Sequence, residues 1–110
     1  MFVYIITEIP PNDFVKVGVT RHDPYKRLSN LQTGNPRILD LVCWIGIKDE
    51  TDARQLEKEL ISVSRYFENR HGQASPEGEW IWGCADREWW AEYLTDAAEM
   101  IGAEAEGVSA

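Results

Sequence analysis

Two short apolar runs near the start of the chain, Phe2-Val-Tyr-Ile-Ile-Thr7 and Phe14-Val-Lys-Val-Gly-Val-Thr20, constrain its fold more than any other feature. Both are rich in Val, Ile and aromatic residues, which suit a pleated strand. The segment between them, Pro10-Pro11-Asn12-Asp13, has the chemistry of a turn. The pair predicts a β-hairpin with Tyr4 on one strand and Lys16 and Gly18 on the other. Side-chain alternation groups Tyr4 with Phe2 and Ile6, and groups Lys16 with Phe14, Gly18 and Thr20.

Beyond the hairpin the pattern changes to helical spacing. Asp23-Pro24 starts a helix: Asp can accept from free backbone N–H groups, and Pro suits the first turn. Leu28 and Leu31, with Tyr25, share one face of that helix. Gly34 suits a left-handed C-terminal position and Pro36 cannot continue the helix. Residues 37–47 read as a third, mostly buried strand. Asp49 opens a second helix that keeps apolar spacing from Ala53 to about residue 67. Residues 69–78 read as a loop, and Glu79-Trp-Ile-Trp82 as a short strand. Asp86 begins a last helix whose broad apolar face includes Trp89, Trp90, Tyr93, Leu94, Ala97, Met100 and Ile101.

The expected fold class is therefore α/β: a small three-stranded, mainly antiparallel sheet flanked by helices, with an extra acidic C-terminal helix. The expected organisation is one domain over residues 1–85, an acidic amphipathic helix over 86–103 packed on it, and a frayed tail over 104–110.

No apolar run approaches the ~20 residues that span a bilayer, and no basic-then-apolar leader opens the chain. A cytoplasmic location, with no membrane partner, is the expectation. Cys43 and Cys84 are far apart and in no metal-type pair, so a buried, reduced Cys43 is expected. The net charge of −8 is of the wrong sign for a nucleic-acid partner, but its distribution is uneven. Residues 1–72 hold ten basic and ten acidic side chains; residues 73–110 hold Arg87 against nine acids. The first two-thirds can still present a local basic face from Lys16, Arg21, Lys26, Arg27 and Arg37.

The order strand, strand, helix, strand, helix, with these side chains in place, resembles the GIY-YIG nuclease superfamily. Phe2-Val3-Tyr4 stands where the family has its first tripeptide, and Lys16-Val17-Gly18 where it has its second. Arg27 follows on the first helix. Ala53-Arg-Gln-Leu-Glu57 is similar to the family segment that ends in the metal-binding carboxylate. The segments Leu31-Gln-Thr-Gly-Asn-Pro36 and Gly78-Glu-Trp80 resemble the phage-type branch, in which lysine commonly replaces the second tyrosine. The histidine that many members carry one turn after the arginine is Leu31 here.

The resemblance implies a metal-dependent endonuclease acting on DNA. Glu57 would hold one Mg²⁺ or Mn²⁺, since a hard cation accepts a single carboxylate and keeps several waters. Arg27 would clamp the scissile phosphate through its planar fork. Tyr4 would handle a proton near the attacking water, with Lys16 as the neighbouring cation or a phosphate contact. Gly18, Arg21, Lys26 and Arg37 would lie along the substrate, Gly18 by leaving space. Glu79 and His71 are further candidates, for the metal and for proton transfer respectively, and His22 is a second proton carrier to consider. One such site cuts one strand, so double-strand cutting would need a homodimer or two binding events. The alternative reading is a nuclease-like binding protein without catalysis, engaging a basic nucleic-acid-processing partner through its acidic C-terminal third.

Overall fold

A computed structural model of the chain describes residues 1–10, 14–71, 80–83 and 85–109, apart from the side chains of 64–71 and 82. The elements are β1 (Phe2–Ile9), β2 (Phe14–Thr20), α1 (Pro24–Gln32), β3 (Ile38–Ile47), α2 (Glu50–His71), β4 (Trp80–Trp82), α3 (Arg87–Met100) and β5 (Ala105–Ser109). They build one five-stranded sheet in the order β4-β2-β1-β3-β5. Every pairing in it is antiparallel.

The α/β class holds, but the sheet is larger than the three strands expected. The expected frayed tail is an edge strand: Trp44 to Ile47 of β3 pair with Ser109 to Ala105 of β5. Its side chains are almost all exposed. The sequence Ala-Glu-Gly-Val-Ser has little strand propensity. Backbone hydrogen bonding to the rim of β3 holds it, and that leaves no mark on hydropathy. α2 also runs further than expected, to His71, so residues 69–71 belong to a helix and not to a loop.

β1 is the central strand, which explains its continuous apolar run. Val3 and Ile5 point to one face, Tyr4 and Ile6 to the other, and all four are buried. On the first face they join Val15, Val17, Ile45 and Ile47 beneath Ala53, Leu56 and Leu60 of α2 and Trp90, Leu94 and Ala98 of α3. On the second face Tyr4 and Ile6 meet Leu39 and Leu41, with Leu28 and Leu31 of α1 packed over them. A register shift between Ile5 and Ile6 lets β3 slip one residue: Ile5 pairs with Cys43 and Ile6 with Leu41. Val42 and Cys43 consequently join the same core, although strict alternation would separate them.

The helix ends follow the sequence closely. Asp23 caps α1, its Oδ1 accepting from the Tyr25 backbone N–H at 2.8 Å. Gly34, at φ +76°, lies in the left-handed region that ends the turn after α1. Gln32 then ties α1 to β3: its amide donates to the Arg37 carbonyl at 2.7 Å and accepts from the Leu39 N–H at 2.8 Å. Asp86 caps α3 by accepting from the Trp89 N–H at 3.0 Å. The apolar face of α3 is narrower than expected. Trp90, Leu94 and Ala98 are buried, whereas Trp89 stacks on Tyr93 at the surface and Met100 is exposed.

Cys43 is a buried free thiol that donates to the Ser109 carbonyl of β5. Burial pushes its pKa up to about 11, so it is fully protonated near neutrality. Native protein treated with iodoacetamide at pH 8 should leave Cys43 unmodified. Denatured protein should alkylate there within minutes, and peptide mapping by mass spectrometry distinguishes the two.

Candidate functional site

Tyr4 on β1 lies directly opposite Gly18 on β2. A Cβ built on Gly18 would stand 2.8 Å from Tyr4 Cε2 and closer still to Cζ and Oη. The missing side chain of Gly18 is therefore the space the phenol ring occupies. The ring leans over β2, and its hydroxyl lies above Gly18. There it accepts a hydrogen bond from Nε of Arg27 on α1 at 3.4 Å. That distance is long for N–H···O, so the bond orients Arg27 more than it strengthens the fold.

The sheet edge beside Arg27 is open. β4 pairs only with Phe14, Val15 and Lys16 of β2. The remainder of β2, Val17 to Thr20, carries no further strand among the described residues. A cleft of about 290 Å³ opens at this end, lined by Met1, Val19, Thr20, Arg21, His22, Arg27, Asn30 and Arg54. α1 supplies Arg27 and Asn30 from one face of the sheet, and α2 supplies Arg54 from the other. Three guanidiniums thus converge on one cavity.

Two of them are held by a shared carboxylate. Glu50, the first residue of α2, accepts from Arg21 Nη2 through both oxygens at 2.8 Å. It accepts from Arg54 Nη2, one helical turn on, at 3.1 Å. The hydrogen bond from Arg21, then that from Arg54, holds the Glu50 carboxyl below the usual carboxylate range. The same contact raises the Arg21 guanidinium above its ordinary value. All three side chains are well exposed, so water and salt screen these pairs. Their effect is on the shape of the cleft, not on folding.

With this geometry in view, the comparison with known families is informative. The model of the T5orf172 domain matches residues 1–102. The chain belongs to the T5orf172 domain family. The family is phage-associated and related to nuclease-like folds. No curated protein and no solved structure matches the chain. The matched span of the T5orf172 domain includes both faces of the sheet and α3 as well as the Tyr4–Arg27 contact.

The other expected site residues fall into distinct places on this T5orf172 domain. Lys16 is half-buried on the same face of β2 as Gly18, two residues away and paired between Ile6 and Trp80. Two residues of strand put it about 7 Å from Gly18, outside the cleft lining. Lys26 is exposed on α1 beside Arg27. Arg37 is not brought to the cleft. It sits at the opposite end of β1, paired with Glu8 at 2.8 Å. Leu31 belongs to the apolar packing over Tyr4. Glu79 lies outside the described residues, and His71 ends α2 without a described side chain.

Glu57 is half-buried on α2, three residues after Arg54. That helical spacing sets its Cβ about 5–6 Å from that of Arg54, but Glu57 is not among the residues that line the cleft. Among the described residues no group of three or more His, Cys, Asp or Glu could hold a metal ion. The described residues thus do not fit a multi-carboxylate cage, and a metal here would rest on a single carboxylate and its own waters.

Arg54, Glu50 and Asn30 are site residues that the sequence pattern did not single out. Glu50 and Arg54 are four apart on a helix, the spacing of an ion pair, and that signal was present in the sequence. Their meeting with Arg21 and Arg27 across the end of a sheet was not.

No helix among the described residues is long and apolar enough to cross a membrane.

Proposed function

We propose that this T5orf172 domain is a metal-dependent endonuclease of GIY-YIG type that hydrolyses DNA phosphodiester bonds. The observation that carries this reading is the Tyr4–Arg27 contact over Gly18, at an open sheet edge lined by arginines. Phosphodiester hydrolysis needs charge placed on the phosphoryl oxygens, an activated water and help for the leaving oxygen.

Arg27 would supply the first need. Its Nε is turned to Tyr4, which leaves the two terminal nitrogens of the fork for a phosphate in the cleft. Tyr4 is almost wholly buried, so its first task is to hold Arg27 in that orientation. Its hydroxyl accepts from Arg27 and keeps its own proton to donate toward the same edge. Lys16 would add a cation further along β2, beside the path of the strand. Glu57 would hold Mg²⁺ or Mn²⁺. When bound, that cation would neutralise phosphoryl charge and acidify a water.

The acidic surplus of the chain does not oppose this. Glu88, Glu92, Asp96 and Glu99 are exposed along α3, on the face of the sheet opposite α1. The same stripe motivates a second reading, a nuclease-like domain that binds a basic protein partner through α3. DNA cleavage by the folded protein separates the two.

The direct test compares wild type with Glu57→Gln and Glu57→Ala in a Mg²⁺ titration. Both variants should keep the wild-type circular dichroism spectrum and lose at least about 100-fold in cleavage rate. Undiminished cleavage by folded Glu57→Gln would refute the assignment of the metal ligand.

A further inference from the structure

We propose that the cleft takes two phosphodiesters of one nucleic-acid strand: one on Arg27 and its neighbour on Arg21 and Arg54. This rests on the phosphate-handling reading of the site given above. Glu50 engages only Nη2 of Arg21 and only Nη2 of Arg54. Each guanidinium has five N–H donors in a fixed fork. Among the described residues, no contact is recorded for Nε or Nη1 of either. Both side chains line the cleft with those groups still able to donate.

Charge allows more than one phosphate. The three guanidiniums outnumber the Glu50 carboxylate by two. A phosphodiester carries one negative charge, so the arginines can accept two of them. Arg27 is turned by Tyr4 and stands on α1, while Arg21 and Arg54 are tied together on the other side of the cavity. The site is thus divided into two donor groups, each suited to one phosphate.

Glu50 gives the second group its use. An arginine loses much rotamer freedom when it binds, and a contact that orders it beforehand lowers that cost. One carboxylate orders two such side chains here. The cavity, at about 290 Å³, is at the small end for a ligand pocket, which suits the backbone of a single strand. Asn30 and His22 add polar groups to its wall.

The test is binding of a fluorescent 12-mer, single-stranded, in EDTA, followed by anisotropy over a series of salt concentrations. Wild type is compared with Arg21→Gln, Arg54→Gln and Arg27→Gln. Lys48→Gln, an exposed lysine paired with Glu104 away from the cleft, is the control for charge alone. Each cleft variant should flatten the slope of log K against log salt by about 0.7, and Lys48→Gln should keep the wild-type slope. The 12-mer with a 5′-phosphate and the one with a 5′-hydroxyl should bind alike. A tenfold preference for the terminal phosphate would overturn the assignment to internal phosphodiesters. Wild-type slopes in both Arg21→Gln and Arg54→Gln, with cleavage by wild type intact, would overturn the second phosphate and leave the nuclease reading in place. The expected slopes with no cleavage by wild type would support the two-phosphate cleft and remove the nuclease reading.

Discussion

Gly18→Ala should destabilise the T5orf172 domain by about 1–2 kcal/mol and lower its cleavage rate with it. The added methyl would fall where Tyr4 Cζ and Oη now lie. Tyr4 cannot simply retreat, because Ile6, Leu39 and Leu41 enclose it on the same face. Overpacking a closed site of this kind costs about 1–3 kcal/mol. The loss of backbone freedom in the unfolded chain gives back about 0.4–1 kcal/mol. For a domain of this size the net change should lower the midpoint of thermal unfolding by about 4–10 °C. The double variant Tyr4→Leu/Gly18→Ala decides the cause. A smaller side chain at position 4 should recover most of the stability lost to Gly18→Ala, a coupling of about 1 kcal/mol or more. It should not recover cleavage, because the acceptor for Arg27 is then gone. Additive stability changes in that cycle would show that Gly18 serves something other than Tyr4.

Arg27→Ala should reduce the cleavage rate about 1000-fold at saturating DNA while changing stability by less than about 1 kcal/mol. The basis is the size of a pre-placed charged donor at developing phosphoryl charge, about 3–4 kcal/mol in comparable sites. Arg27→Lys should recover little, since an ammonium lacks the planar fork that Tyr4 orients and a phosphate accepts. Tyr4→Phe removes only the hydroxyl and a 3.4 Å hydrogen bond. Its expected cost is about 3–10-fold, in line with one long, weak hydrogen bond. The graded series Arg27→Ala, Arg27→Lys, Tyr4→Phe is the signature of a tyrosine that acts through the arginine. Single-turnover rates give it directly. Equal, large losses for Tyr4→Phe and Arg27→Ala would instead give the phenol its own part in the chemistry.

The parts of this fold that were legible in the sequence are those fixed locally. The two runs placed Tyr4 and Gly18 on neighbouring strands of a hairpin, and the register that sets them opposite each other comes from the structure. Asp23, Gly34 and Asp86 mark helix boundaries through their own backbone chemistry, and the structure uses them in that way. β5 was not legible, because its stability comes from the rim of β3 and not from its own side chains. The double placement of Val42 and Cys43 in one core was hidden for a related reason: the register slip at Ile5 and Ile6 belongs to the pair of strands.

The site shows the same division. The resemblance to the GIY-YIG superfamily assigned Tyr4, Gly18 and Arg27 to one site, but the role expected of Gly18 differs from the one the structure gives it. Space for an approaching backbone or phosphate was the expectation, whereas the neighbouring phenol fills that space. Charge alone grouped Arg21, Lys26 and Arg37, and charge carries no position. Arg21 meets Arg54 through Glu50, while Arg37 is occupied by Glu8 at the far end of β1. Arg54 was passed over although it lies inside the segment that ends in Glu57. Only the approach of α1 and α2 to one sheet edge, from opposite faces, gives it a part in the cleft.

The measurement that bears most directly on the cleft as a catalytic phosphate site is cleavage by the wild-type protein. Supercoiled plasmid, linear duplex and single-stranded DNA would each be incubated with Mg²⁺, with Mn²⁺ and with EDTA. The predicted result is cleavage of at least one substrate with a divalent cation and none with EDTA. Intact DNA in every arm, from protein shown to be folded and to bind DNA through Arg27, would contradict it.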